Sequence, residues 1–259
     1  MDITTKTKYL FIDECGDPEF YGKGKRLLVD TIGFQPLLIL GLIETNNRKT
    51  LQKAIIERKK EILNDTLFKT IPSVSEKDWF FHAKNDHPEV RAEFFKFIRN
   101  YEDIRFHAVI ARKDVQRFAR KHHANATEFY FDVIKNLLEN QLDEDKKIVI
   151  YLAHKAKSTT ERLIESIDKA IEAKQKKTGI IQKIDYTCTI EKSNFMPELS
   201  VVDYMLWALQ RYIFKKESRF YEAIEHQVGS VTDLYDNQKL YDSHTNRFRL
   251  EQVLPFEWQ

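Results

Sequence analysis

Apolar and polar residues along the chain form blocks that predict strands first, and then strands interleaved with helices. Two continuous apolar runs, at 9–12 and 37–43, predict buried strands that pair in antiparallel fashion. A third continuous run predicts a strand at 147–153, whereas apolar–polar alternation predicts half-buried strands at 104–110 and 184–190. This order predicts an α/β fold with a mixed sheet that is flanked by helices on both faces.

Helices are predicted where apolar residues recur every three or four positions. The predicted helices begin near Asn47, Pro88, Asp114, Asn125, Ser158 and Pro197. The chain from about Tyr221 onward has weak periodicity, so no element is predicted there, and the sequence contains no internal repeat. We therefore expect one domain over residues 1–220 and a C-terminal extension, 221–259, that packs on the same domain.

Composition narrows the class of protein. The 259 residues are 42% hydrophobic with only seven Gly and six Pro, which is typical of a globular domain with a substantial core. No apolar run approaches the roughly 18 residues that a membrane span needs, and the first residues lack the apolar segment of a signal peptide. Cys15 and Cys188 are far apart in sequence, which favours a cytoplasmic protein over a disulfide scaffold. The net charge of +2 means that any surface for nucleic acid must be local.

Three carboxylates follow the first predicted strand within five residues. The strand runs directly into Asp13 and Glu14, and Asp17 stands between Gly16 and Pro18, two residues that break an extended backbone. Acidic groups at the end of a buried strand are costly unless a cation neutralises them, and hard divalent cations prefer carboxylate oxygens. The pattern therefore indicates a metal site, with a polar turn whose acids face water as the alternative.

A further carboxylate lies near the start of the last predicted helix. An apolar stripe runs along this helix, at Leu199, Val202, Leu206, Leu209 and Ile213. Asp203 falls within the stripe, because it follows Leu199 by four residues and precedes Leu206 by three. A carboxylate there must be paired, neutral or metal-bound. Glu198, one turn earlier, lies close to the same face, and Arg211 or a neighbouring helix is the alternative partner of Asp203.

Asp13 and Asp203 stand at opposite ends of the chain but fit one composite site. As ligands of two Mg²⁺ or Mn²⁺ ions about 3.5–4 Å apart, they would activate water and stabilise the leaving oxygen in phosphodiester hydrolysis. Asp17 and Glu198 are further candidate metal ligands, and Glu14 and Asp17 are further candidate catalytic residues. Because clustered carboxylates repel one another, we expect the metal-free site to be unstable.

Four short motifs of the chain resemble one protein family. The stretch Phe11–Asp17 resembles the opening signature of the family called domain of unknown function 3800, in which Ser usually stands where this chain has Cys15. Three later segments resemble the family in the same order, and they are Phe81–Ala83 with Val90–Arg91, Ile150–Lys155, and Leu199–Arg211. The similarity covers roughly residues 8–221, which is most of the chain.

The resemblance implies a ribonuclease H-like fold with helical insertions and a metal-dependent nuclease activity. In such a fold, a mixed five-stranded sheet carries one acid on its first strand, where Asp13 stands, and another acid lies on a late helix, where Asp203 stands. The strand that ends at Tyr151–His154 offers no carboxylate. The residues that could complete the acidic set are Glu14, Asp17, Glu191 and Glu198.

Substrate contacts are predicted at one histidine and several basic residues. His82 follows two aromatic residues and is a candidate for metal, phosphate or proton handling, with a satisfied core histidine as the alternative. The candidate phosphate-binding residues are Arg112, Lys113, Arg117, Lys155 and Lys157. The first three belong to a dense basic run, although such runs are usually solvated helix faces. The two later lysines follow a buried strand.

The sequence thus predicts a nuclease that depends on Mg²⁺ or Mn²⁺ and acts on RNA or DNA. Other enzyme classes are less well supported, because Cys15 occupies the position where an aspartyl phosphatase needs its second Asp, and no Gly-rich phosphate loop is present. The neighbouring acids also suppress a Cys15 thiolate. Two alternatives stay open. One is a catalytically weak ribonuclease H-like module that binds nucleic acid or a protein partner, alone or in a defence system. The other is an enzyme that acts on nucleotides or phosphorylated small molecules.

Overall fold

Six strands form one mixed sheet in the residues that the structure describes. The computed structural model describes residues 6–29, 31–142, 146–155, 158–181 and 183–234, and the backbone of 241–242 and 247–248. The strands of the sheet are β1 (Thr7–Cys15), β2 (Leu37–Thr45), β3 (Arg105–Arg112), β4 (Lys147–Ala153), β5 (Tyr186–Glu191) and β6 (Val228–Asp233). Their spatial order is β5-β4-β1-β2-β3-β6. A separate antiparallel pair consists of β7 (Tyr241–Asp242) and β8 (Arg247–Phe248).

The strand directions confirm the predicted fold class. β1 pairs antiparallel with β2, and β2 antiparallel with β3, whereas β4 and β5 run parallel to β1 on its other side. This arrangement is consistent with a ribonuclease H-like α/β fold. β6 lies parallel to β3 and adds a sixth strand to the five that the resemblance implies.

Helices cover both faces of the sheet, and each face has its own apolar core. The helices are α1 (Arg48–Asn64), α2 (Pro88–Arg99), α3 (Val115–His122), α4 (Ala126–Leu138), α5 (Thr160–Thr178), α6 (Pro197–Lys215) and α7 (Arg219–Ile224). One face holds α1, α2, α6 and α7 together with Phe11 of β1, and the other holds α3, α4 and α5 together with Leu10 and Ile12. The side chains of β1 therefore alternate between two cores, as expected of a central strand.

Most of the predicted helices and strands are confirmed. Asp114 and Asn125 cap α3 and α4 by accepting backbone hydrogen bonds from the first turn, and Gly179 ends α5 in the left-handed conformation. The segment at 78–83, predicted as a short strand or an extended segment, forms no strand and belongs to a loop.

The sequence pattern did not predict α7 or β6. α7 spans the predicted boundary at 220–221, and β6 lies in the predicted extension, 221–259, where it joins the main sheet as an edge strand. The register of β6 against β3 shifts by one residue at Gly229, so Val228 and Val231 are buried three positions apart instead of two. This bulge removes the alternation by which a half-buried strand is recognised.

The described helices and cysteines can be compared with the expectations about membrane spans and disulfides. None of these helices is long and apolar enough to cross a membrane. Cys15 and Cys188 are both free thiols. Cys15 ends β1, whereas Cys188 lies in β5, two strands away across the sheet.

A glycine in β2 lets α6 approach the centre of the sheet. Gly41 pairs with Asp13 of β1 on one side and with Ala108 of β3 on the other. Leu206 of α6 fills the space above Gly41, because an added Cβ there would lie 2.8 Å from Leu206 Cδ2. Residues that are directly opposite in antiparallel strands share a face of the sheet. Asp13 therefore lies on the face that α6 covers.

Gly41→Ala should destabilise the protein, because the new Cβ would lie only 2.8 Å from atoms of both Leu206 and Phe106. We expect a loss of about 1–3 kcal/mol in the free energy of unfolding, as is typical of overpacked cores, measured by equilibrium chemical denaturation. Leu206→Ala removes one of the two obstructing side chains, so the double variant should be less destabilised than the sum of the single variants. An additive result would contradict the close packing of α6 on Gly41.

Candidate active site at the end of β1

Asp13 and Asp203 lie on the same face of the sheet, where α6 crosses β1. Asp13 alternates with Phe11, which belongs to the core on the α6 side. Asp203 lies one helical turn before Leu206, the residue that packs on Gly41 beside Asp13. The two carboxylates are close enough that the charge of Asp203 raises the pKa of Asp13. The structure thus brings together the two acids that the sequence singled out.

Both carboxylates are costly to ionise in this position. Burial raises the pKa of Asp13 well above its usual range, and the negative charges of Glu14 and Asp203 raise it further. Burial also raises the pKa of Asp203, which the charge of His82 and a backbone N–H lower only in part. Neither acid forms an ion pair within the described residues. The pair therefore favours a bound proton or a bound cation.

Cys15 is not an activated nucleophile. Burial raises the pKa of its thiol to about 12, and the negative charges of Asp203, Asp13 and Glu14 contribute to this shift. The thiolate is therefore scarce at neutral pH, as the neighbouring acids in the sequence predict.

Asp203 and its neighbour Tyr204 both form hydrogen bonds from α6 to the loop at residues 82–86. The Ala83 N–H donates a hydrogen bond to Asp203 Oδ2 at 2.6 Å, and the Tyr204 hydroxyl donates to Asp86 Oδ2. Two adjacent residues of α6 thus hold the 82–86 turn at two points. The backbone N–H fixes the orientation of the Asp203 carboxylate, whose partner is neither Arg211 nor another helix, the two alternatives that the sequence suggested.

Asp86 is the buried centre of this loop, and sequence reasoning missed it. Its carboxylate also accepts hydrogen bonds from Trp79 Nε1 and from the His82 N–H, each at 2.9 Å. Arg91 donates to the carbonyl oxygens of Ala83 and Asp86, each at 2.6 Å. Since the donors to Asp86 include Tyr204, which is 118 residues away, no local pattern marks this residue.

Glu14 points to the opposite face of the sheet from Asp13. Its carboxylate accepts a hydrogen bond from the Tyr130 hydroxyl of α4 at 2.9 Å, and it pairs with Lys155 Nζ at 2.7 Å. Glu14 and Lys155 therefore form an ion pair with each other. The charges of both residues still act on Asp13, since Glu14 raises its pKa and Lys155 lowers it, and the backbone N–H of Glu14 donates to Asp13 Oδ1 at 2.8 Å.

Asp17 and Lys113 also pair with each other. Asp17 Oδ1 lies 3.1 Å from Lys113 Nζ, and the Lys113 side chain is fully buried. Lys113 also donates to the carbonyl oxygen of Glu19 at 3.0 Å, and its ammonium lies 4.7 Å from the centroid of the Phe34 ring. This pair joins the loop after β1 to the end of β3, and the structure does not place either residue at the acid pair.

Glu198 is completely buried, but it faces α1. Arg48 Nε lies 2.9 Å from Glu198 Oε1, and Arg48 Nη1 donates to the Tyr151 hydroxyl at 2.5 Å. This contact joins α1 to the first turn of α6. The structure therefore does not bring Glu198 to Asp13 and Asp203.

The predicted basic run is divided among several partners. Arg112 pairs with the buried Asp233 at the end of β6, with Nε 2.6 Å from Oδ2. Arg117 belongs to α3, whose core lies on the sheet face opposite α6. Lys157 lies outside the described residues. Among the predicted basic substrate contacts that the structure describes, Lys155 acts on the acid pair through its charge, which lowers the pKa of Asp13.

His82 does lie beside Asp203. Its charge lowers the pKa of Asp203, and its Nδ1 atom is buried with no hydrogen-bond partner within the part of the chain that the structure describes. His82 also lines a cleft between α6 and the loops around β1 and β2. It therefore offers an imidazole that can hold or move a proton at the acid pair.

A cleft of about 940 Å³ opens beside Asp203, between α6 and the loops around β1 and β2. It is lined by Glu14, Cys15, Gly16, Asp17, Thr31, Phe34, Gln35, Pro36, Leu37, His82, Lys84, Asp203, Leu206, Trp207, Gln210, Arg211, Phe214 and Lys215. We call it the α6 cleft. Its volume is near the upper end of the range of about 300–1,000 Å³ that is typical of ligand sites, and of the two acids Asp203 lines it directly.

The donor set of the pair consists of carboxylate oxygens, the ligand type that Mg²⁺ prefers. Asp13 Oδ1 accepts the Glu14 N–H at 2.8 Å and Asp203 Oδ2 accepts the Ala83 N–H, which leaves one oxygen of each carboxylate without a hydrogen bond from the described residues. Within those residues, no group of three or more His, Cys, Asp or Glu side chains is placed to hold a metal ion. Mg²⁺ commonly binds through one or two carboxylates and keeps several waters, which is the coordination that this pair supports.

Comparison with known proteins does not assign the chain to a family. No family model matches the sequence, and no curated protein matches it. The resemblance to the domain of unknown function 3800 family therefore stays a prediction that rests on the four motifs.

Asp13→Asn should stabilise the metal-free protein at neutral pH. Because the pKa of Asp13 is raised in the folded state, its carboxyl group favours folding at low pH, and that contribution is lost as the pH rises above about 4. We expect a higher Tm than wild type at pH 7 in EDTA, with about 2–4 °C for each kcal/mol gained, and a smaller difference at pH 4.

The matched control is Asp185→Asn, which changes an exposed carboxylate far from the site in sequence and should leave the Tm unchanged. Mg²⁺ should raise the Tm of wild type but not that of Asp13→Asn, because binding to the folded state stabilises it. A lower Tm for Asp13→Asn at pH 7 in EDTA would contradict the electrostatic cost assigned to the pair.

Proposed function

We propose that the protein is a nuclease that depends on Mg²⁺ or Mn²⁺ and hydrolyses phosphodiester bonds at Asp13 and Asp203. The observation that carries the proposal is the burial of two carboxylates from distant parts of the chain, close enough that the charge of Asp203 raises the pKa of Asp13, with Asp203 lining an open cleft. Buried acids with strongly raised pKa values are concentrated at functional sites. The fold and the four family-like motifs support the same proposal.

The two carboxylates are prepared to hold a cation. The Glu14 N–H orients Asp13 and the Ala83 N–H orients Asp203, so each side chain presents one remaining oxygen. Asp86 and Tyr204 fix the loop that carries Ala83, which keeps the pair in one arrangement. A divalent ion held there would lower the pKa of a bound water and stabilise charge on the leaving oxygen.

His82 is the residue we assign to proton handling in this reaction. It lines the α6 cleft next to Asp203, and its backbone N–H is held by Asp86 at 2.9 Å. As a general acid in the cleft, its imidazole would give a proton to the departing oxygen of the substrate.

A nucleic-acid-binding module without strong catalysis is the second candidate. The observation that favours it is that the described residues place no third carboxylate with Asp13 and Asp203. Such a module would use the same cleft and the same partner, either RNA or DNA, and could work with a protein partner.

Cleavage of labelled RNA and DNA, single-stranded and double-stranded, tests the proposal. We expect cleavage with Mg²⁺ or Mn²⁺ and none with EDTA. Asp13→Asn and Asp203→Asn should each reduce the rate by more than the roughly 10–100-fold loss that is typical when an outer-shell partner of a metal site is removed. Both substitutions preserve the shape of the side chain and remove its charge.

Asp185→Asn is the control, and it should cleave at the wild-type rate. Mononucleotides and phosphorylated small molecules should not be turned over. Cleavage that survives both active-site substitutions would overturn the proposal, and metal-independent binding of nucleic acid without cleavage would favour the binding module.

A further inference from the structure

Three of the six charged side chains that line the α6 cleft are held in ion pairs. The pairs are Glu14 with Lys155, Asp17 with Lys113, and Arg211 with Glu217, at 2.7, 3.1 and 2.5 Å. Lys84 and Lys215 are exposed, and neither forms an ion pair with any residue that the structure describes. These two lysines are therefore the cations of the cleft that remain available for a ligand.

The charge of the cleft then depends on the acid pair. When a divalent cation neutralises Asp13 and Asp203, the two unpaired lysines leave the cleft with a net positive charge. A positively charged concave surface attracts an anionic ligand and accelerates its association. A ligand with several phosphates would match both lysines.

The length of the cleft indicates how large this ligand is. Asp203, Trp207, Phe214 and Lys215 follow one side of α6. With a rise of 1.5 Å per residue, Lys215 lies about 18 Å from Asp203 along the helix axis. Even in a stacked helix, one strand carries a phosphate about every 3.4 Å. A ligand that reaches both ends therefore spans several nucleotides.

One aromatic ring of the cleft is free to stack on a base. The Trp207 ring lies near two guanidinium groups, with the central carbons of Arg91 and Arg211 at 4.5 and 4.8 Å from its centroid. Phe214 has no ring or cation partner among the described residues and is 39% exposed. Bases stack on protein side chains when they are splayed out of a single strand, and the bases of a duplex are not accessible in this way.

We propose that the α6 cleft binds single-stranded nucleic acid, with phosphates on Lys84 and Lys215 and an unstacked base on Phe214. This inference rests on the proposed function, since the acid pair is the end of the cleft where the strand would be cut. It also assigns the phosphate contacts to two isolated lysines and not to the basic run around α3.

Equilibrium binding of fluorescent oligonucleotides tests the inference in the Asp13→Asn/Asp203→Asn background. This background does not cut the probe, and it removes the two negative charges as a bound cation would. We expect single-stranded RNA or DNA to bind at least about tenfold more tightly than a duplex of the same length. Because no cleavage is needed, a failed nuclease assay leaves this measurement valid.

Lys84→Ala/Lys215→Ala in that background should weaken single-strand binding about 10- to 30-fold at 0.1 M salt. It should also reduce the slope of log K against log salt concentration by about 1.4, since each contact to a single strand contributes about 0.7. Phe214→Ala should weaken binding about fivefold or more without changing the slope.

Arg120→Ala/Lys176→Ala is the matched control, because it removes two exposed positive charges that do not line the cleft. It should leave the affinity within about twofold. Equal losses in the control and the cleft variant, tighter binding of duplex than of single strand, or no binding of any nucleic acid would each overturn the inference.

Discussion

The close approach of α6 to the sheet at Gly41 is the constraint on which the site depends. Leu206 occupies the space that a side chain at Gly41 would fill, and Asp203 lies one turn earlier on the same helix. The helix thereby covers Asp13 and places a second carboxylate beside it. Burial raises the pKa of Asp13, so the packing that completes the core also creates a site that is more favourable with a cation than without one.

The sheet and the acid pair could be predicted from the sequence because local patterns encode them. Continuous apolar runs mark β1, β2 and β4, and Asp203 is conspicuous because it interrupts an apolar helical stripe. β6 could not be predicted in this way, because the bulge at Gly229 breaks the alternation of its buried residues.

The partners of the other charged residues could not be predicted, because the fold brings them together from distant positions. Glu14 follows Asp13 directly, yet the alternation of a strand turns it to the opposite face, where Tyr130 and Lys155 satisfy it. Asp86 has no distinguishing neighbour in sequence and becomes important only through donors from a loop and from α6. The sequence predicted phosphate contacts mainly from clusters of charge, whereas the cations of the cleft that are unpaired among the described residues, Lys84 and Lys215, are isolated in the sequence.

Locating Mn²⁺ by anomalous scattering in a crystal of the protein tests the central claim most directly, since it depends on neither a substrate nor a variant. We predict an anomalous peak about 2 Å from one carboxylate oxygen of Asp13 and one of Asp203, with the remaining ligands supplied by water. A peak bound by other residues, or a peak that contacts only one of the two carboxylates, would contradict it.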